Sequence, residues 1–238
     1  MTFNYWRKGG YKIGSEDYRW EIVRARVNNT FLFTIFNFVF IAAIQSALLL
    51  LITAPTYVFV ILAYQGPEVF DIPDLAFSRG IFFFIIIEFL ADQQQWNFQN
   101  AKKEYHDNAR IPGPYKDQYA PEDLERGFVV SGLWSWSRHP NFVAEQAVWL
   151  SMYLWCAYRT ENYLQWTGLG VVGYLLIFQG STRLTEAISA SKYPEYPEYQ
   201  ARVGRFLPRF SAEAKKSKRA GKKAASTEKS EAESSKGK

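Results

Sequence analysis

The chain is short of the residues that build metal and redox centres. Of its 238 residues, one is cysteine, Cys156, and two are histidine, His106 and His139. A lone cysteine excludes an internal disulfide and any site built from several thiolates. Two histidines are too few for a histidine-rich metal cluster, and no metal is expected. Dinucleotide-type glycine fingerprints and phosphate-binding P-loops are also absent. The N-terminus, MTFNYWRKGGYKIGSEDYRW, lacks the apolar core of a secretory signal.

The most telling absence is charge. From Val27 to Pro67 there is no Asp, Glu, Lys or Arg. Within that run, Phe31–Ile52 reads FLFTIFNFVFIAAIQSALLLLI, and a bilayer core needs about 20 mostly apolar residues as a helix. The high pI hides a division of charge. Residues 211–238 hold nine Lys or Arg against four Glu, a net of +5, which equals the net of the whole chain. Residues 1–210 therefore sum to zero. A tail of Lys, Ser, Ala and Glu without aromatics cannot bury enough surface to fold. It reads as disordered, either solubilising or attracted to an anionic leaflet. No nucleic-acid partner is expected.

Four membrane helices are expected. They are Phe31 to about Ile52, with a kinked continuation past Pro55, then about Leu75–Ala91, about Asn141–Tyr158 and about Tyr163–Thr182. The Gly168, Gly170 and Gly173 series in the last permits close helix packing. Basic residues alternate between rich and poor connections. Arg7, Lys8, Lys12, Arg19, Arg24 and Arg26 precede the first helix, and Arg79 alone marks the first connection. Lys102, Lys103, Arg110, Lys116, Arg126 and Arg138 mark the second, and Arg159 alone the third. That alternation places both termini in the cytosol. The chain is thus read as an all-α, polytopic membrane bundle in three parts: a cytosolic segment 1–30, a membrane domain 31–210 and a disordered tail 211–238.

Two stretches carry polar chemistry. In GLWSWSRHPNFVAEQ, residues 132–146, Pro140 suits the first turn of a helix. Arg138, His139 and Asn141 then surround a helix start with free N–H groups, a good place for an anion. Glu145 lies a turn inside, where an unpaired carboxylate costs roughly 2.5–3.5 kcal/mol on insertion scales. It should face a partner or a wet cavity. The bland alternative is that Arg138 and His139 anchor the interface and Glu145 pairs with a neighbouring helix. On the second helix, Glu88, Asp92, Gln95 and Gln99 share one face through spacings of four, three and four. The second stretch, STRLTEAISASKYPEYPEYQARVGRFLPRF, residues 181–210, gathers Glu186, Lys192, Tyr193, Tyr196, Tyr199, Arg202 and Arg205. Prolines 194, 197 and 208 cut it into short pieces. It could hold phosphates and a ring, or lie as an amphipathic interfacial helix with snorkelling bases.

Together, SRHPN with its following Glu and the TE…KYPEY…RFLP ending resemble the DUF1295 membrane proteins. These are relatives of the steroid 5-alpha-reductase C-terminal family, of sterol reductases and, more distantly, of isoprenylcysteine carboxyl methyltransferases. NYWRKGGY, GSEDYRWE and ADQQQWNFQ resemble the fungal-type branch. The resemblance implies a cofactor pocket at the cytosolic ends of the last helices, in an endoplasmic-reticulum membrane. The cofactor would be NADPH in a reductase or S-adenosylmethionine in a methyltransferase. Carried over, Arg138, His139, Asn141, Glu145, Glu186, Lys192 and Tyr193 are the expected cofactor-binding residues. Phe142 stands where many relatives have Tyr, Leu184 where the reductases usually carry Arg, and Pro194 where they usually carry Gly. Relatives of this type generally have further membrane helices before NYWRKGGY, which supply part of the substrate cavity.

Three functions follow from the resemblance. The first is a lipid or steroid oxidoreductase moving hydride from NADPH to an activated carbon–carbon double bond. The second is a membrane methyltransferase, and the third a non-catalytic lipid- or partner-binding protein. No catalytic residue is assigned; Tyr193 and Tyr196 are candidate proton donors.

Overall fold

A computed structural model describes residues 2–12, 14, 18–65, 70–111 and 113–209. Among these residues the fold is all-α. Short helices α1 (Thr2–Arg7) and α2 (Tyr18–Val27) lead into a continuous helix Thr30–Gln65. It consists of α3 (Thr30–Phe36), a wide-turned section Asn37–Ile44 and α4 (Gln45–Gln65). Then come α5 (Ile72–Asn108), α6 (Pro121–Arg126), α7 (Pro140–Arg159), α8 (Gly168–Lys192) and α9 (Tyr196–Arg202). The tail lies outside the described residues.

Thr30–Gln65 is long and apolar enough to cross a membrane, the only such helix among the described residues. It does not stop near Ile52. At 1.5 Å per residue its 36 residues run about 54 Å, and Pro55 sits buried inside it. Pro55 has no N–H to give the Leu51 carbonyl four residues earlier. At that carbonyl α8 makes a very close approach: a Cβ on Gly170 would lie 2.4 Å from the Leu51 oxygen. A residue without a side chain lets the two backbones meet.

Helix α5 extends unbroken past Ala91, as its polar face leads one to expect. It starts with a capping box in which the Asp71 carboxylate accepts from the Asp74 N–H at 3.0 Å and the Asp74 carboxylate from the Asp71 N–H at 3.0 Å. Asp74 is buried, and Trp155 (2.7 Å) and Arg159 (3.2 Å) donate to it from the end of α7. Tyr158 donates to Asp71 at 2.8 Å. These bonds set α5 and α7 antiparallel. Helix α8 starts at Gly168 rather than Tyr163, because residues 160–167 are spent on the turn from α7. It runs back along α7 and α4.

Beyond the bundle, the far half of α5 nucleates a small core. Phe98 and Ala101 pack with Tyr119, Leu124, Val129 and Trp134 from the loop that wraps it. A second cluster, Phe128 with Tyr196 and Tyr199, seats α9 on the same loop.

Candidate functional site

Pro140 opens α7 with His139 as its extended cap, as its missing N–H dictates. This places Arg138 at the junction of α7, the end of α8 and α9. The Arg138 guanidinium is buried and almost fully spent on the protein. Its Nε donates to Glu186 Oε1 at 2.7 Å and Nη2 to Glu186 Oε2 at 3.1 Å. Its Nη1 donates to the carbonyls of Gln200 (2.8 Å) and Val203 (2.6 Å). The backbone repeats the tie, Arg138 N–H donating to Gly204 O at 3.0 Å.

Glu186 is the centre of this network and is only 3% exposed. His139 Nε2 lies 3.0 Å from Oε1, Gln200 donates to Oε2 at 3.2 Å, and Arg205 Nε stands 3.4 Å away. Burial alone would raise its carboxyl. The hydrogen bonds from His139 and Arg138 and the Arg138 charge outweigh burial and hold it at about 2. Glu186 is therefore a carboxylate at neutral pH. An ionised carboxylate accepts only, so the proton of a neutral His139 sits on Nε2, leaving Nδ1 as an acceptor.

Above this network lies a cavity of about 800 Å³. Three helices wall it: α5 with Asp92, Gln95, Trp96 and Gln99, the start of α7 with Asn141 and Phe142, and the end of α8 with Thr185, Ile188, Ser189 and Lys192. Arg138 and His139, Gly127 to Val129, and the aromatic rings of Tyr193, Tyr196 and Tyr199 complete the walls. Asn141 donates to Asp92 at 3.0 Å, joining α7 to α5 across the floor. His139 stacks on Phe142 with ring centroids 5.3 Å apart. Tyr193 accepts from Lys102 at 3.1 Å, and Lys102 also donates to the Gly127 carbonyl at 2.9 Å. Gly127, at φ 86°, has no room for a side chain, since a Cβ would meet the Tyr193 ring at 2.5 Å. Burial, with the Glu186 charge second, pushes the Tyr196 hydroxyl up to about 12, so it keeps its proton.

Five of the expected residues, Arg138, His139, Asn141, Lys192 and Tyr193, thus line one cavity. Glu186 lies behind it and holds two of them. Glu145 is outside its lining: Tyr174 and Trp149 each donate to Glu145 Oε1 at 2.9 Å, and Glu88 is hydrogen-bonded to it. The need for a partner was legible, and the partner is a neighbouring helix. The sequence reading did not include Arg7 and Lys8 in the site, although both line the cavity. Arg7 donates to Gln93 Oε1 at 2.8 Å and to Asp92 O at 3.1 Å, and its guanidinium lies 4.5 Å over Trp96. No periodic signal marks those two residues; the spacing of Asp92, Gln95 and Gln99 did mark their wall.

The chain is 43% identical over 210 residues to the uncharacterized protein C594.04c of Schizosaccharomyces pombe, a match covering 88% of this chain and 60% of that protein. It spans about three-fifths of that relative's length. No solved structure matches. Residues 1–203 match the family described as "Protein of unknown function (DUF1295)", a range that contains every residue lining the cavity. The chain belongs to the DUF1295 family.

Proposed function

We propose that the chain is a membrane oxidoreductase that holds NADPH in the α5–α7–α8 cavity and reduces an activated double bond in a lipid-like substrate. The carrying observation is the composition of the cavity wall. Its volume of about 800 Å³ falls in the range of small-molecule sites, roughly 300–1,000 Å³. Lys8 and Lys192 are exposed cations in its lining, suited to phosphates. Trp96, Phe128 and Tyr193 offer ring faces. Gln95 Oε1 is buried and has no hydrogen-bond partner among the described residues, an acceptor that fits a carboxamide or amino N–H. NADPH would supply hydride when bound. The chain's own part is to bind and orient it: Lys192 and Lys8 toward phosphate, Gln95 and Asn141 toward amide groups, His139 Nδ1 as an acceptor.

Arg138, expected as a phosphate ligand, serves this reading as the clamp that fixes His139 and α9. Glu145 and Glu186 likewise act through other residues. Four crossings, by Thr30–Gln65, the first half of α5, α7 and the first part of α8, put the cavity and both termini on the cytosolic side of an endoplasmic-reticulum membrane. The alternation of basic segments supports that arrangement.

One observation favours S-adenosylmethionine as the second reading. Asp92 places a carboxylate in the wall, suited to a ribose diol or a cationic ligand. Titration of NADPH into the detergent-purified chain, with S-adenosylmethionine as competitor, tests both. NADPH binding that S-adenosylmethionine does not displace, weakened in Lys192→Ala, is expected. Preferential binding of S-adenosylmethionine replaces the reductase by the methyltransferase, and binding of neither leaves a protein without this cofactor chemistry.

A further inference from the structure

The cavity is the upper part of a longer cleft. Helices α5 and α8 both pack on α7 rather than on each other. The space between them, floored by α7, holds the cavity at its polar end. One turn further in, at Glu145, the same three helices meet again. Tyr174 reaches over from α8 to donate to Glu145 at 2.9 Å, Trp149 of α7 donates at 2.9 Å, and Glu88 of α5 is hydrogen-bonded to it. Two ionised carboxylates can only accept, so a Glu88–Glu145 bond holds a proton between them. Four residues separate Glu88 from Asp92 and Asn141 from Glu145, so the inner pair stands directly beneath the Asp92–Asn141 bond that floors the cavity.

Around this polar step the walls are apolar. Phe142 and Phe178 meet edge to face, with centroids 4.8 Å apart, and Phe178 lies 4.7 Å from Tyr174. Between the inner step and Glu186, α8 carries Thr182. It is fully buried, and its hydroxyl has no hydrogen-bond partner among the described residues. An orphaned hydroxyl there calls for a ligand or a water. A proton-bearing carboxyl pair, a phenol and an indole N–H inside an apolar cleft are costly to keep in lipid. They match one kind of occupant: an elongated apolar molecule with a single carbonyl or hydroxyl at one end.

We infer that the inner cleft at Glu88, Glu145 and Tyr174 is a binding site for such a lipid, its polar end on the carboxyl pair and its chain or rings between α5 and α8. This deepens the proposed reading, since it seats the substrate one turn from the cofactor cavity, but the lipid site does not depend on which cofactor binds.

The test uses the full chain in detergent micelles and two photoreactive probes: a diazirine-bearing long-chain alkyl ketone and the matching hydrocarbon without the carbonyl. The hydrocarbon reports lipid exposure alone. The ketone is expected to label peptides within 81–92 and 171–182 in excess over the hydrocarbon. Tyr174→Phe and Glu88→Gln should each cut that excess about fivefold, the worth of one hydrogen bond. Neither residue lines the upper cavity, so NADPH affinity is expected to stay within about twofold in both variants. Equal labelling by the two probes, or an excess untouched in both folded variants, overturns the site. Excess labelling without NADPH binding keeps the lipid site and removes the reductase reading; NADPH binding without excess labelling does the reverse.

Discussion

At Arg138 and Glu186 the charge is neutralised within the protein, and this decides what each residue can do. Both are buried, and each is the other's chief partner. Removing one leaves the other as an uncompensated buried charge, which costs about 3–5 kcal/mol. Arg138→Ala is therefore expected to lower stability by that amount, with any loss of NADPH affinity following from a loosened α9. Thermal unfolding in detergent measures the first, and cofactor titration at a temperature where the variant is folded measures the second. A stable Arg138→Ala that loses NADPH alone would make Arg138 a direct ligand.

The same pair sets an acid limit. Glu186 has a folded value of about 2 against an ordinary 4.5. A depressed carboxyl stabilises the fold above its unfolded value, and that stability is lost as pH falls through 4.5 toward 2. On the order of 3 kcal/mol is at stake. Unfolding temperature should therefore hold near neutrality and fall steeply between about pH 4.5 and 2. In Glu186→Gln it should start lower and lose most of that acid limb, so an unchanged limb would mean that other carboxylates carry it.

At the scale of elements, packing turns on backbone proximity. Gly170→Ala drives a methyl into the Leu51 carbonyl, while Gly180 has open space around its Cβ position. Overpacking of this kind costs about 1–3 kcal/mol, whereas a Gly→Ala change in an open helix gains up to about 1 kcal/mol. Melting temperatures should move in opposite directions. Equal effects of the two substitutions would show that α4 and α8 do not meet at that carbonyl.

Much of this was legible beforehand. α5 was readable past Ala91 because its polar residues keep one face, and Pro140 marked the start of α7. The continuation of the first helix to Gln65 was less so. A proline at position 55 argues for interruption, and only the partner Gly170, 115 residues away in sequence, shows how the freed carbonyl is accommodated. Nor could spacing show that Arg138 would be consumed by Glu186, because that pairing depends on α8 returning to the start of α7.

Topology is tested at the same scale. With Cys156 replaced by alanine, single cysteines at Phe70 and Lys116 should react with impermeant reagent from opposite faces of sealed microsomes, Lys116 from the cytosolic side. Reaction from one face for both would refute four crossings.

For the whole molecule, the cavity is not a property of the bundle alone. Its walls include Arg7 and Lys8 from the first residues of the chain, held by Arg7 to Gln93, to the Asp92 carbonyl and over Trp96. The N-terminal segment therefore closes a site whose other walls come from residues 92–199. Cations along such a rim act on an anionic ligand both by contact and by long-range attraction, and the attraction is screened by salt. The double variant Arg7→Ala, Lys8→Ala should leave the bundle's unfolding temperature nearly unchanged, since only loop and wall contacts are lost. It should weaken NADPH binding about tenfold, the loss of one charge-assisted bond of about 1.4 kcal/mol. It should also flatten the dependence of affinity on ionic strength. Titrations at low and high salt, run on wild type and variant together, separate these effects. Unchanged affinity and unchanged salt dependence would place the phosphates elsewhere, along Lys192 and the end of α8, and would remove the N-terminal segment from the site.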